Sequence, residues 1–126
     1  MFEFFKSGKK PDNYRSPEER ELYLNDVKER LSNQYKDVHF KFILFPEISK
    51  DATSIVKTTL WKKKIGDNVK KNEKIAVCEA DKVQFEINAE VNGILVFRAE
   101  KNKELFKGDI FAILAEKYVD LEEFKF

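Results

Sequence analysis

The chain has 126 residues and is 37% charged, but its 24 Lys and Arg residues nearly balance its 23 Asp and Glu residues. This length allows one small domain with an extension, and a net charge of +1 gives no global field that would favour nucleic acid. The single cysteine, Cys78, excludes an intramolecular disulfide and a zinc site built on cysteines.

The N-terminal segment combines three phenylalanines with a polar linker. Phe2, Phe4 and Phe5 precede residues 6–13, which are rich in charged and turn-forming residues. This apolar run is too short for a signal peptide, and no run elsewhere is long enough to cross a membrane. We therefore expect a cytoplasmic protein. The phenylalanines could dock on the domain itself, on the C-terminal tail or on a partner, and the sequence leaves these alternatives open.

A helix is expected to begin at Ser16. This residue can act as N-cap, Pro17 suits the first helical position, and Glu19 can complete a capping box. Apolar residues follow at helical spacing: Leu24, Val27, Leu31 and Tyr35. The pattern predicts a helix over about 17–35 whose apolar stripe is buried against the following domain or another chain.

From Val38 onward the pattern is typical of short strands. Turn-forming breaks separate apolar or alternating runs at residues 40–45, 54–61, 74–79, 83–88, 93–97 and 109–114. Several short strands with no helix between them predict an all-β sandwich or small barrel. We divide the chain into an N-terminal extension over 1–37, a β domain over 38–117 and a C-terminal tail over 118–126.

A short polar break at residues 80–83, with the sequence Ala-Asp-Lys-Val, lies between two of these runs. Val83, Phe85 and Ile87 alternate with polar residues, as in a strand with one buried face. Two runs this close in sequence predict a hairpin with Asp81 and Lys82 in its turn. Asp favours turns because its side chain can accept hydrogen bonds from nearby amides, so we expect Lys82 to point outward.

An internal repeat relates two parts of the β domain. Sliding the chain by 36 residues sets Trp61 over Phe97, Gly66 over Asn102, Val69 over Leu105 and Ala76 over Ala112. Gly66 and Asn102 are the residue types that best tolerate positive φ. The same slide sets Pro46 over Lys82, which would make the end of the first strand equivalent to the lysine turn. Two similar halves of four strands predict a pseudo-twofold sandwich.

Four features of the β domain carry a family resemblance. They are the Trp-containing stretch 61–69 with its Gly-Asp turn, the lysine motif at 79–83, the closing strand at 107–113, and the positions of Gly66 and Gly93, 16 residues before and 11 after Lys82. Together they make the segment from Phe40 to about Glu116 resemble the lipoyl/biotinyl carrier domain, also called the biotin/lipoyl attachment domain. The resemblance is closest to the lipoyl domains of 2-oxo acid dehydrogenase complexes.

The resemblance implies a mainly β fold, a barrel-sandwich hybrid of two pseudo-symmetric four-stranded sheets, here with an N-terminal α-helix. It also implies a carrier and not an enzyme, because a ligase would join lipoate or biotin to the Lys82 amine as an amide. The resulting arm would swing between active sites, carrying acyl groups and electrons. The residues that it assigns are a recognition flank of Glu79, Ala80, Asp81 and Val83 and structural turns at Gly66, Asp67 and Gly93, with no catalytic residue and no metal.

The residues beside Lys82 favour lipoate over biotin. Lipoyl domains place Asp before the lysine, as Asp81 stands here, whereas biotinyl domains flank the lysine with methionines. Val83 replaces the usual lipoyl Ala, and the Glu79-Ala80 pair also occurs in biotinyl domains. The implied partners are a lipoate or biotin ligase and the enzyme components of a 2-oxo acid dehydrogenase-type complex or a carboxylase.

Two alternatives to a lipoyl carrier stay open. One is a biotin carrier for a carboxylase. The other is an unmodified barrel-sandwich module that acts as a protein-interaction adaptor, with no cofactor and an ordinary turn lysine at position 82. It is suggested by residues 50–54 and 100–104, which lack glycines common in lipoyl domains. Its contact surface would be the helix or the aromatic termini, which could also drive self-association.

The remaining chemically interesting residues favour structural roles. Cys78 lies in an apolar strand and is expected in the core, and His39 has no cluster of metal ligands around it in sequence. The lysines between residues 62 and 74 are expected to form a solvated basic face and not a nucleic-acid site. We expect the helix, the N-terminal phenylalanines and the tail to form a second layer beside the sandwich.

Overall fold

A computed structural model describes residues 16–45, 56–80, 83–121 and 124 of the chain. Within these residues there is one helix, α1 (Pro17–Gln34), and there are eight strands. The strands are β1 (Phe40–Leu44), β2 (Val56–Trp61), β3 (Asn68–Val69), β4 (Lys74–Ala80), β5 (Val83–Asn88), β6 (Gly93–Arg98), β7 (Glu104–Leu105) and β8 (Ile110–Ala115). The two-residue strands β3 and β7 are too short to show a hydrophobic period and were not located from the sequence.

Helix α1 begins as its sequence predicts. The Ser16 hydroxyl accepts a hydrogen bond from the Glu19 amide at 3.2 Å, and the Glu19 carboxylate accepts one from the Ser16 amide at 3.0 Å. This reciprocal capping box satisfies two of the amides that a helix start leaves without intrahelical partners. The helix ends at Gln34, within a residue of its predicted end, and the Tyr35 amide donates to the Leu31 carbonyl.

The strands form two antiparallel sheets of four. Sheet A has the order β1-β8-β6-β3, and sheet B has the order β5-β4-β2-β7. The described part of the chain is therefore mainly β, with two four-stranded sheets and one helix near the N-terminus, as expected.

The internal repeat is present in three dimensions. A shift of 36 residues relates β3 to β7 and β4 to β8, and each pair occupies equivalent places in the two sheets. Strand β1 takes in sheet A the place that β5 takes in sheet B. Equivalent hydrogen bonds support this relation, because the Ala89 amide donates to the Glu73 carbonyl and the Phe45 amide to the Asp109 carbonyl.

One detail of the predicted repeat is wrong. Phe45 is equivalent to Ala89, so a shift of 44 residues, and not 36, relates β1 to β5. The start of β1, and not its end near Pro46, therefore corresponds to the lysine turn; Pro46 itself lies outside the described residues. The repeat is circularly permuted. Strands β2 to β5 form one unit, and β6 to β8 form the other, whose fourth strand is β1 from the start of the β domain.

Aromatic rings fill the space between the sheets. The Phe111 ring stacks on Trp61 at a centroid distance of 4.6 Å and on Phe45 at 5.2 Å. Phe85, from β5, approaches Phe45 from sheet B at 6.3 Å. The core therefore connects β5, the strand that follows the candidate lysine in sequence, to the centre of the sandwich.

A second apolar layer covers the outer face of sheet A. Val27 and Leu31 of α1 are fully buried and pack with Val96 of β6 and Ile113 of β8. Leu121 belongs to the same cluster, and Phe124 packs against it. The expected second layer is thus confirmed for the helix and the tail, while the N-terminal phenylalanines lie outside the described residues.

A buried arginine fastens the start of α1 to the sandwich. The Arg20 guanidinium forms an ion pair with Asp109 at 3.2 Å and donates to the Lys107 carbonyl at 2.8 Å. It also lies over the Phe106 ring at 5.1 Å. The predicted apolar stripe of the helix did not include Arg20, because no local pattern marks a buried arginine whose partner is 89 residues away.

Candidate functional site

The candidate site is the hairpin formed by β4 and β5. Ala80 of β4 pairs with Val83 of β5, and Glu79 pairs with Gln84. Only Asp81 and Lys82 stand between the last paired residues in the sequence, and both lie outside the described residues. The pair of Ala80 and Val83 therefore fixes where the chain leaves sheet B and where it re-enters it.

The described members of the predicted recognition flank differ in exposure. Ala80 is buried in the core cluster, whereas the Val83 side chain is 54% exposed and Glu79 is exposed. Ala80 therefore supports the hairpin from inside, and only Glu79 and Val83 are accessible to a partner. Alternation along β4 separates Glu79 from Ala80, whereas Val83 pairs with Ala80 on the same face and is exposed at the end of β5.

Two further exposed residues, one on the hairpin and one on the neighbouring strand β2, lie in a row with Glu79. Lys57 of β2 pairs with Glu79, which in turn pairs with Gln84 of β5, so the three form a row across sheet B. All three side chains are exposed. Lys57 was not found from the sequence because it joins the row through strand pairing with a residue 22 positions away.

Ion pairs connect the hairpin to neighbouring residues on its exposed face. Glu86 of β5 forms ion pairs with Lys74 at 3.1 Å and with Lys62 at 3.3 Å. Hydrogen bonding to Lys74 and then Lys62 lowers the pKa of Glu86 below its ordinary value. Lys63 and the Lys70 amide similarly lower the pKa of Glu73 in the adjoining turn. Both carboxylates are therefore engaged in ion pairs with lysines.

Cys78 is a core residue, as expected. Its side chain is fully buried, and burial raises the pKa of the Cys78 thiol to about 11. The thiol donates a hydrogen bond to the Thr58 hydroxyl at 3.9 Å. A buried neutral thiol of this kind is a poor nucleophile, so the hairpin offers no thiol chemistry.

The three predicted turn residues have different roles. Gly66 adopts a positive φ of 96°, and the Asp67 carboxylate accepts a hydrogen bond from the Lys64 amide at 2.9 Å, which closes the turn. Gly93 is the first residue of β6, where an added Cβ would lie 3.0 Å from the Leu114 Cβ. Gly93 therefore permits close packing of β6 on β8.

Neither a metal centre nor a membrane-spanning helix is found in the part of the chain that the structure describes. No three His, Cys, Asp or Glu side chains in these residues come together as a metal site requires. His39 is exposed, and its amide donates to the Glu116 carboxylate at 3.2 Å. None of the described helical residues form a segment with the length and apolar character needed to cross a membrane.

Comparison with known proteins identifies the fold family. The family model described as biotin-requiring enzyme, which represents biotin and lipoyl attachment, matches residues 41–114. The chain belongs to the biotin/lipoyl attachment family. Domains of this family are carrier modules, and membership implies a covalently bound lipoate or biotin. The match spans β1 to β8 and leaves out α1 and the tail.

One solved structure illustrates the likeness. It is the solution structure of the lipoyl domain of the 2-oxoglutarate dehydrogenase complex from Azotobacter vinelandii. The two sequences are 26% identical, and the TM-score is 0.48. The alignment covers 57% of this chain and 94% of that domain. A search of curated proteins gave no significant match.

Proposed function

We propose that the protein is a lipoyl carrier, with Lys82 as the attachment residue. The observation that supports this most directly is the register of the hairpin, in which the Ala80–Val83 pair leaves Asp81 and Lys82 as its whole connection. A lysine in so short a connection between two sheet strands has little freedom to withdraw into the domain. A rigid, exposed position is what a modifying enzyme must recognise.

The residues around Lys82 divide into support and recognition. Ala80, Cys78 and Phe85 anchor the two strands of the hairpin to the core. Glu79 and Val83 provide the exposed flank that a ligase would contact. The bound lipoate would supply the acyl-carrying and redox chemistry, while the protein's own residues hold and present the lysine. The domain itself would make and break no substrate bonds.

Lipoate is proposed over biotin because Asp81 precedes Lys82 where biotinyl domains have methionine. The proposed partners are therefore a lipoate ligase and the enzyme components of a 2-oxo acid dehydrogenase-type complex in the cytoplasm. A tethered arm would raise the effective concentration of the acyl group at successive active sites.

The decisive experiment is the intact mass of the protein isolated from its own cells, with peptide mapping across Lys82. A lipoyl group on Lys82 is expected. The Lys82→Arg variant should lose the modification completely, whereas Lys57→Arg, on the exposed row beside the hairpin, should retain it. A lysine that stays unmodified after incubation with active lipoate and biotin ligases would contradict the carrier function and favour an unmodified adaptor.

A second experiment tests the choice of cofactor. The double variant Asp81→Met and Val83→Met gives Lys82 the flank typical of biotinyl domains. Biotinylation by a biotin ligase should then rise and lipoylation should fall relative to the wild type. If biotin ligase modifies the wild type more efficiently than lipoate ligase does, the choice of lipoate is wrong, although Lys82 is still the attachment residue.

A further inference from the structure

An apolar groove lies on the side of the sandwich, away from the lysine hairpin. Leu60, Ile65 and Tyr118, three of the six exposed large apolar side chains of the described residues, line a single cavity of about 930 Å³. Their exposed fractions are 49%, 44% and 52%. Trp61 and Phe97 also line it. Such a concentration of exposed apolar surface on a small domain marks a binding surface.

A second cavity lies next to the groove, near the start of α1. This cavity, of about 200 Å³, shares the wall formed by residues 97–100 and extends to Arg20 and Gly108. The hydrogen bond of Arg20 to the Lys107 carbonyl fixes the first turn of the helix at this end. Ser16, whose carbonyl accepts a hydrogen bond from the Arg20 amide, therefore lies within one helical turn of a residue that lines the second cavity.

The segment before Ser16 has the side chains and the length to occupy the groove. Phe2, Phe4 and Phe5 supply three large apolar rings, and ten residues, 6–15, separate them from Ser16. A linker of this length spans about 17–19 Å on average if it is flexible and about 33–36 Å at most. The average span of the linker is comparable to the length of a six-residue strand such as β6, about 20 Å.

Charge on the groove complements Glu3 of the phenylalanine segment but not Lys6, Lys9 and Lys10, which follow it. Apart from the Arg20–Asp109 pair, the charged residues lining the two cavities are Lys64, Arg98, Lys101 and Lys103 against Glu100 and Asp120. The excess is positive, and the phenylalanine segment carries Glu3 among its rings. An acidic residue between apolar anchors complements an apolar groove with a basic rim.

We propose that residues 2–5 bind this groove in the same molecule, with residues 6–15 as a tether. A short tether gives an effective concentration on the order of 1 mM, so a segment with a Kd of about 0.1 mM in trans would be about nine-tenths bound in cis. The groove is thus closed by the chain's own N-terminus. This inference does not depend on modification of Lys82.

The only tryptophan of the chain, Trp61, lies in the groove and reports on its occupancy. In the full-length variant Phe2→Ser, Phe4→Ser and Phe5→Ser, Trp61 emission should move to longer wavelength because the ring loses apolar cover. A synthetic peptide of residues 1–10 should reverse this shift and saturate, while the wild type should not respond to it. The matched control, Lys6→Ser with Lys9→Ser and Lys10→Ser, should keep the wild-type emission.

A change in the groove itself provides the second arm of the test. Ile65→Ser, introduced into the phenylalanine variant, removes one exposed apolar contact and should weaken peptide binding about tenfold. Identical emission from the wild type and the phenylalanine variant, with no saturable response to the peptide, would overturn the proposal. A dimeric mass for the wild type but not for the phenylalanine variant would also overturn it, since the segment would then bind a second copy.

Discussion

Gly66 and Asn102, which are 36 residues apart, occupy equivalent turns and both have positive φ, at 96° and 66°. Asn72 and Gly108, also 36 residues apart, form a second such pair at 72° and 87°. These are the four positive-φ residues of the described chain. The two halves of the sandwich thus share their turn conformations, although one position in each pair is glycine and the other is asparagine.

The first prediction follows from these turns. Gly66→Ala and Asn102→Ala should each destabilise the protein by about 1–2 kcal/mol, since alanine is strained at positive φ. Asn102→Gly should change stability by less than about 0.5 kcal/mol, because glycine adopts this conformation freely. An added Cβ at Gly66 would lie 3.9 Å from Tyr118, an ordinary contact, so backbone strain alone is tested. Urea unfolding checks this, and unequal losses at Gly66 and Asn102 would contradict the equivalence of the turns.

The second prediction concerns the buried pair of Arg20 and Asp109, whose side chains are only 6% and 13% exposed. Arg20→Met should cost about 3 kcal/mol, because it leaves the Asp109 carboxylate without its cationic partner in a buried place. The matched control is Asp26→Asn, which breaks the exposed Arg30–Asp26 pair on the same helix and should cost less than about 1 kcal/mol. Similar losses for the two variants would show that Arg20 does not fasten the helix.

The third prediction is a dependence of stability on alkaline pH. Burial raises the pKa of the Cys78 thiol from its ordinary 9.0 to about 11. Below pH 9 the thiol is neutral in both the folded and the unfolded state, but as the pH rises toward 11 the unfolded state ionises first and gains stability. Between pH 8 and pH 10 the wild type should lose about 1 kcal/mol more than Cys78→Ala. Equal losses in urea unfolding would contradict a buried, neutral Cys78.

Local signals in the sequence predicted the parts of the fold that depend on neighbouring residues. The capping residues Ser16 and Glu19 placed the helix start correctly, and the alternation from Val83 to Ile87 placed the hairpin. The positions of Gly66 and Asn102 revealed the repeat because positive φ restricts the residue type wherever it occurs. Each of these signals acts within a few residues of the structure that it specifies.

Contacts between distant segments could not be predicted in this way. The burial of Arg20 depends on Asp109, and the exposed row beside the hairpin depends on Lys57 of another strand. The equivalence of β1 with β5 depends on sheet order, which a constant shift along the sequence cannot reproduce. The sequence also suggested Lys82 as the candidate attachment residue, but its modification depends on a ligase, which is a separate protein.

The last prediction concerns helix α1, which the family match leaves outside the attachment domain. Leu31 is fully buried against the outer face of sheet A, whereas Leu22 on the same helix is 71% exposed. Leu31→Ala should therefore destabilise the protein by about 2–4 kcal/mol, through lost burial and the cavity left behind, and Leu22→Ala by less than about 0.5 kcal/mol.

Unfolding should be followed both by Trp61 fluorescence and by far-ultraviolet circular dichroism, which report on the sandwich and on the whole backbone. If α1 and the sandwich unfold as one unit, Leu31→Ala will shift both transitions together, since loss of the helix exposes Val96 and Ile113 of sheet A. A shift in the circular dichroism signal alone would show that the helix opens independently. The extension over residues 1–37 would then be a separate appendage and not part of the folded carrier.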